Sequence, residues 1–269
     1  MTDNIKADYS ILDRPEILMF LFHPRPDANG PTGISSAQDM LITVEPGVDV
    51  GARFHMADKT GVNILFFHGN GEIVSDYDEL GPVYNQMGIN FLAIDYRGYG
   101  RSTGQPTVSA MMKDCHVIFS FIKQWLTTNN YTGSLVVMGR SLGSASVLEL
   151  VRHYKNEIDG LIIESGFAHV TPLLNLLGID TEALGFKEET GFRNIDKIRG
   201  FDKPTLIIHA ELDHIIAYSE GEALYNACPA LDKTLLKIPG ANHNDIFLRG
   251  FTEYMTGINT LARKLIAES

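Results

Sequence analysis

The stretch LVVMGRSLGSASVLEL, residues 135–150, decides the fold of this chain. Its first four residues form an apolar run that predicts a buried strand, and the residues after Gly143 favour a helix. Between them, Gly139 to Gly143 show the pattern G-x-S-x-G, which is typical of a sharp turn that lifts the central serine above a sheet. The flanking glycines remove side chains that would collide in such a turn. Ser141 is therefore a candidate nucleophile, although the same pattern also occurs in ordinary glycine-rich turns.

Composition indicates one α/β domain of ordinary size. The 269 residues are 44% hydrophobic and 20% charged, as is usual for globular proteins that dissolve in water. A formal net charge of −11 without a basic patch argues against a nucleic-acid partner or an anionic membrane surface. The two cysteines, Cys115 and Cys228, fit neither a disulfide framework nor a C-x-x-C site. The first residues lack the basic-then-apolar order of a signal peptide, so we expect a cytoplasmic protein.

Apolar strand-like runs alternate with segments of helical spacing along most of the chain. Residues 1–38 are expected to form an N-terminal extension, and residues 39–56 an antiparallel hairpin. Nearly continuous apolar runs then predict strands that are buried on both faces, at residues 62–67, 90–94, 135–138, 160–164 and 205–209. A last strand is expected at residues 234–238. The pattern predicts an α/β domain over residues 39–269 with a mostly parallel sheet, helices on both faces and a short lid insertion at about 167–202.

A base and an acid for the serine follow later strands. A serine hydroxyl is a poor nucleophile at neutral pH and needs a base, for which histidine has a suitable pKa. Of the nine histidines, His243 is the best placed, because it lies between the last predicted strand and the last helix. Asp213, after the preceding strand, is the expected carboxylate that orients this base. Glu211 is its nearest rival, and Glu164 is a remoter one.

Two backbone N–H groups are expected to stabilise the negative oxygen of a tetrahedral intermediate. One belongs to Leu142, at the start of the helix that follows the serine. The other belongs to Asn70 in the turn H-G-N-G, although an Asn-Gly pair also fits a simple turn. Phe167 and Ile215 follow strand ends near these residues and are expected to contact the substrate, beside an apolar lid segment at residues 173–177.

These motifs together resemble the α/β-hydrolase superfamily from about residue 39 to the end of the chain. The motifs H-G-N-G at 68–71, D-Y-R-G-Y-G-R-S at 95–102 and G-R-S-L-G at 139–143 occur in the family's order, and Asp213 and His243 follow. The chain is most similar to short-lid serine esterases and depalmitoylase-like hydrolases, in which the second motif is mainly structural. It lacks the H-G-G-G turn of many lipases and the Cys-rich palmitoylation segment of membrane-anchored depalmitoylases, so we expect no stable membrane association.

The residues and the resemblance predict a serine hydrolase that cleaves carboxylic esters of short to medium acyl chain. Ser141 would form an acyl-enzyme intermediate, which water activated by His243 would hydrolyse. We expect a small-molecule ester as the partner and neither a metal ion nor an organic cofactor for this reaction. A thioesterase, lipase or amidase would use the same residues. A non-catalytic binding module on the same fold is a remoter alternative.

Overall fold

In the computed structural model of the chain, which describes residues 8–28, 30, 33 and 37–268, eight strands form one sheet. In chain order, strands β1 to β8 cover Ala37–Glu45, Val48–His55, Asn63–Phe67, Asn90–Ile94, Leu135–Arg140, Gly160–Glu164, Thr205–Ala210 and Lys233–Ile238. Their order across the sheet is β1-β2-β4-β3-β5-β6-β7-β8. Strand β2 pairs antiparallel with β1 and β4, and all other pairs are parallel. The mostly parallel sheet expected from the sequence is confirmed.

Eight α-helices flank this sheet in the described part of the chain. In chain order, α1 to α8 cover Pro15–Leu21, Leu80–Gln86, Val108–Thr128, Gly143–Tyr154, Thr171–Leu176, Asn194–Ile198, Tyr218–Ala227 and Ile246–Glu268. Buried side chains of α2 and α8 pack in the core on one face of the sheet, and those of α3 and α4 pack in the core on the other. Helices on both faces, as expected, exclude water from the sheet.

Burial explains why the inner strands read as continuous apolar runs. Every residue of β3, β4, β5, β6 and β7 is buried, because each of these strands has neighbours on both sides and helices above and below. The edge strand β8 instead mixes buried, partly buried and exposed residues. The apolar pattern is therefore a direct consequence of position in the sheet.

The carboxyl ends of the parallel strands bring distant parts of the chain to one edge of the sheet. His68 follows β3, Ser141 follows β5, Asp213 follows β7 and His243 follows β8. Strand β5 lies next to β3, and β6 separates it from β7 and β8. Four of the sequence motifs thus meet at this edge.

The described part of the predicted N-terminal extension packs onto the same region. Ile17 and Leu21 of α1 are buried in the core. After α1, the side chain of Arg25 donates a hydrogen bond of 2.7 Å to the carbonyl oxygen of Gly71, and its own carbonyl accepts one of 2.9 Å from Gly100. Residues 1–7, on which the expectation about a signal peptide depends, lie outside the described residues. Among the helices that are described, none combines the length and the apolar character needed to cross a bilayer.

Candidate active site

Ser141 stands on a strained turn between β5 and α4. Its φ angle is +50°, in the left-handed region that non-glycine residues rarely adopt. A Cβ atom at Gly143 would collide with the carbonyl oxygen of Phe67, and one at Gly139 would collide with that of Gly143. The N–H of Ser141 donates a hydrogen bond of 2.8 Å to the carbonyl oxygen of Glu164 on the next strand. The two glycines are thus required by close backbone packing, and the strain is held by the sheet.

Ser141, His243 and Asp213 form a continuous chain of hydrogen bonds. His243 Nδ1 lies 2.7 Å from Asp213 Oδ2, and His243 Nε2 lies 3.0 Å from Ser141 Oγ. The ionised carboxylate can only accept, so Nδ1 donates to it, and Nε2 is left as the acceptor for the serine hydroxyl. This is the tautomer that a general base requires.

The environment of Asp213 keeps its carboxylate charged. Burial alone would raise the pKa of Asp213, but the hydrogen bond from His243 and those from the backbone N–H groups of Ile216 and Ile215 lower it below its usual value. These two backbone bonds to Oδ1 measure 2.8 and 3.0 Å. His209, whose pKa is lowered by burial, lies 2.8 Å from the carbonyl oxygen of Ile216 and braces the same loop.

Two backbone N–H groups near Ser141 have no hydrogen-bond acceptor among the described residues. They belong to Asn70 and to Leu142, which line one cavity together with Ser141 and His243. The side chain of Asn70 is held in place, because its Oδ1 accepts hydrogen bonds of 2.7 Å from the hydroxyl of Tyr99 and from the backbone N–H of His23. Tyr99 and His23 thus hold the turn that is predicted to supply an oxyanion donor.

The cavity at Ser141 has a volume of about 260 Å³ and a largely apolar wall. Ile215, predicted as a substrate contact, lines it. Phe167 does not appear in the wall: it is 1% exposed, and its ring packs against that of Phe192 at 5.4 Å between centroids. The apolar part of the wall comes from α1, α5 and nearby loops, through Phe20, Leu21, Leu142, Leu173, Leu177 and Ile215.

Comparisons of the sequence with known proteins find similar proteins among the hydrolases. Residues 58–183 match a family model described as serine aminopeptidase, S33. A relative named alpha/beta hydrolase domain-containing protein 17C, from Xenopus tropicalis, is 31% identical over 221 residues, which cover 78% of this chain and 65% of the relative. An uncharacterized protein of Escherichia coli, YfhR, is 26% identical over 234 residues, covering 85% of this chain and 80% of YfhR.

Solved structures show the same fold. The esterase Pf2001 of Pyrococcus furiosus superposes with a TM-score of 0.70 at 17% sequence identity, over 91% of this chain and 99% of the esterase. Est1E of Butyrivibrio proteoclasticus, solved with ferulic acid bound, superposes with a TM-score of 0.68 at 20% identity, over 85% of this chain and 99% of Est1E. The chain has the α/β-hydrolase fold. It spans about two thirds of the length of its relative from Xenopus tropicalis.

Both rival carboxylates are engaged elsewhere. Glu211 lies at the surface, where it accepts a hydrogen bond of 2.9 Å from the N–H of Gly240 and pairs with Lys237 at 3.3 Å. Glu164 is fully buried and accepts a hydrogen bond of 2.7 Å from the hydroxyl of Tyr254. The geometry therefore favours Asp213 as the partner of the histidine.

Arg140 is a residue that sequence reasoning missed. Its buried guanidinium donates a hydrogen bond of 2.7 Å to the carbonyl oxygen of His243 and pairs with Glu72 at 2.8 Å and Glu164 at 3.0 Å. Glu72 in turn accepts a hydrogen bond of 2.7 Å from the N–H of Gly69. Burial alone would lower the pKa of Arg140, but the carboxylates of Glu72 and Glu164 raise it above its usual value. The buried charge of Arg140 thus connects the loop of His243, strand β6 and the turn that carries Asn70.

The N-terminal segment contributes a second missed residue, His23. Its backbone N–H and its ring Nδ1 both contact the side chain of Asn70, at 2.7 and 2.8 Å. His23 also lines the cavity. Nothing in the local sequence marks Arg140, Glu72 or His23, because G-x-S-x-G permits any residue at its second position and the other two depend on contacts between distant segments.

Proposed function

We propose that this α/β-hydrolase is a serine esterase that acts on carboxylic esters of short to medium acyl chain. The observation that carries the proposal is the hydrogen-bonded chain from Asp213 through His243 to Ser141, with distances of 2.7 and 3.0 Å. These distances fall within the range at which a general base activates a serine hydroxyl. Esterases and lipases among the similar structures support the same class of reaction.

The first half of the reaction transfers the acyl group to the enzyme. Ser141 Oγ attacks the ester carbonyl carbon while His243 Nε2 takes the hydroxyl proton. The carbonyl electron pair moves onto its oxygen, and the N–H groups of Asn70 and Leu142 stabilise that charge. The C–O bond to the alcohol then breaks, and the imidazolium returns its proton to the leaving alcohol.

The second half releases the acid. Water gives a proton to His243 Nε2 and attacks the carbonyl carbon of the acyl-enzyme. The tetrahedral intermediate collapses, the bond to Ser141 Oγ breaks, and the proton returns to the serine. Throughout, the charged Asp213 stabilises the imidazolium.

The size and lining of the cavity support the substrate class. Its volume of about 260 Å³ is close to the lower limit of about 300 Å³ for typical small-molecule pockets. The apolar side chains Phe20, Leu173 and Ile215 favour an aliphatic acyl group over a charged one. The carbonyl oxygen of the ester would then point to the backbone N–H groups of Asn70 and Leu142.

The direct test is hydrolysis of p-nitrophenyl esters from acetate to palmitate by wild type, Ser141→Ala and Ser109→Ala. Ser109 is an exposed serine of α3, so its variant controls for the loss of a hydroxyl elsewhere. We expect the highest kcat/KM for short and medium chains, near wild-type rates in Ser109→Ala and almost none in Ser141→Ala. Near-zero rates with every ester would reject the substrate class and favour the thioester or amide alternatives.

A further inference from the structure

Two imidazoles and one carboxylate converge where α3 packs against α4, outside the residues that line the cavity. His116 comes from α3, and Glu149 and His153 lie one helical turn apart on α4. Glu149 Oε1 lies 3.5 Å from His116 Nε2 and 3.3 Å from His153 Nδ1. The three potential ligand atoms all lie within 4.8 Å of one another.

These separations match those of ligands around a tetrahedral zinc ion. Nitrogen and carboxylate oxygen ligands lie at about 2.0–2.2 Å from zinc, so two ligands at the tetrahedral angle are about 3.4 Å apart. The two separations that involve Glu149 Oε1, 3.5 and 3.3 Å, lie on either side of that value. Two of the three ligand separations therefore match those of a metal site, and the two imidazole nitrogens lie within 4.8 Å of each other.

The surroundings of the cluster prepare its atoms for a cation. The hydroxyl of Tyr154 lies 3.1 Å from His116 Nδ1, an outer partner of the kind that fixes the orientation of a metal-binding imidazole. The side chain of Lys197 pairs with Glu149 Oε2 at 2.7 Å, which leaves Oε1 as the oxygen that faces the imidazoles. Glu149 is 12% exposed and His116 28% exposed, so both are largely positioned by packing.

Two features of the cluster oppose the binding of a cation: a competing hydrogen bond and a nearby positive charge. His153 Nδ1 also lies 3.0 Å from the backbone carbonyl oxygen of Glu149 and must exchange that contact for the metal. Its side chain is 46% exposed, so rotation about its own bonds is not blocked by the core. The ammonium of Lys197 adds one positive charge near the site, on the far oxygen of the carboxylate.

We propose that His116, Glu149 and His153 form a binding site for a divalent transition-metal ion of the zinc type. Imidazole and carboxylate ligands suit zinc, and a water molecule would complete the four-coordinate shell. The ion would connect α3 to α4 and so stabilise the folded state. Because the ligands do not line the cavity at Ser141, the site is independent of the proposed ester hydrolysis.

The test is isothermal titration of the metal-free protein with Zn²⁺, for wild type, His116→Ala, His153→Ala and His169→Ala. His169 is a matched control, because it is a half-exposed histidine that pairs with a different carboxylate, Glu220, at 3.4 Å. We expect one ion per chain in wild type and in His169→Ala. Both other variants should bind at least about tenfold more weakly, since loss of even an outer partner costs about 10–100-fold in affinity.

A second readout is the melting temperature with and without Zn²⁺, for the same four proteins. We expect Zn²⁺ to raise it in wild type and His169→Ala only. His153 is partly exposed, so His153→Ala keeps the test valid even if the variant at His116 folds poorly. Absence of Zn²⁺ binding in wild type, or equal affinity in all four proteins, would overturn the proposal. Neither result would bear on ester hydrolysis, which Ser141→Ala tests separately.

Discussion

Asp213 is held on both carboxylate oxygens, by His243 at Oδ2 and by the backbone of Ile215 and Ile216 at Oδ1. Asp213→Asn keeps the size of the side chain but can place a donor opposite His243 Nδ1. The imidazole would then carry its proton on Nε2 and could no longer accept the proton of the serine. We expect kcat for p-nitrophenyl esters to fall by about 10⁴-fold, measured by steady-state kinetics.

Glu211→Gln is the matched control for this change. Glu211 lies two residues before Asp213, is exposed and pairs with Lys237. Its amide variant should therefore hydrolyse esters at close to the wild-type rate. A larger loss of kcat in Glu211→Gln than in Asp213→Asn would show that the acid has been wrongly assigned.

The lowered pKa of Asp213 also predicts how stability depends on pH. In the unfolded chain an aspartate has a pKa of about 3.9, above the folded value, so the charged carboxylate stabilises the fold above about pH 4. This contribution is lost as the pH falls through the folded pKa. Urea unfolding at about pH 7 and about pH 3 should show a steeper loss of unfolding free energy in wild type than in Asp213→Asn. A parallel decline in the two proteins would contradict the assignment.

Arg140 is predicted to position the active site through its three partners. Arg140→Lys keeps the positive charge but cannot reach His243, Glu72 and Glu164 at once, because an ammonium lacks the planar fork of a guanidinium. A displacement of about 1 Å at the histidine can cost about 100-fold in rate. We expect a fall of that order in kcat, with a cooperative melting transition retained. A folded Arg140→Lys with wild-type kcat would rule out the positioning role.

At the scale of elements, α1 and the segment after it form part of the wall of the active site. Phe20 and His23 line the cavity, and His23 contacts the side chain of Asn70. His23→Ala should loosen the turn that supplies an oxyanion donor and lower kcat/KM by about tenfold, less than the about 100-fold or more for loss of a donor itself. Met19→Ala, a change at an exposed residue of α1, should leave the rate unchanged. Equal rates in both variants would contradict this role of the segment.

The positions of the inner strands could be predicted from the sequence, but the residues that form the walls of the cavity could not. Strands such as β3 and β7 are buried on both faces, so their apolar runs are visible without a structure. Phe167 follows a strand end as predicted, yet its side chain turns into the core against Phe192. The position of a residue after a strand determines where its backbone lies, but it does not determine the direction of its side chain. Contacts between distant segments, such as His23 with Asn70, have no local pattern at all.

At the scale of the whole molecule, the parallel sheet assembles the candidate active site from separate segments. Ser141, Asp213 and His243 follow three different strands, and Arg140 contacts both the carbonyl oxygen of His243 and the buried carboxylate of Glu164. The order of serine, aspartate and histidine along the chain could be predicted, because each follows a recognisable strand. Their distances depend on the packing of the entire α/β domain. The proposed activation of Ser141 thus depends on the whole fold as well as on the turn that carries the serine.

The measurement that tests the central claim most directly is covalent labelling by a fluorophosphonate, read by intact-protein mass and peptide mapping. An activated serine displaces fluoride from phosphorus and keeps the phosphonyl group, whereas an ordinary serine does not react. We predict a single adduct, located on Ser141, absent from Ser141→Ala and greatly slowed in His243→Ala. A wild-type protein that remains unlabelled, or an adduct that persists in Ser141→Ala, would contradict the assignment of Ser141 as the nucleophile.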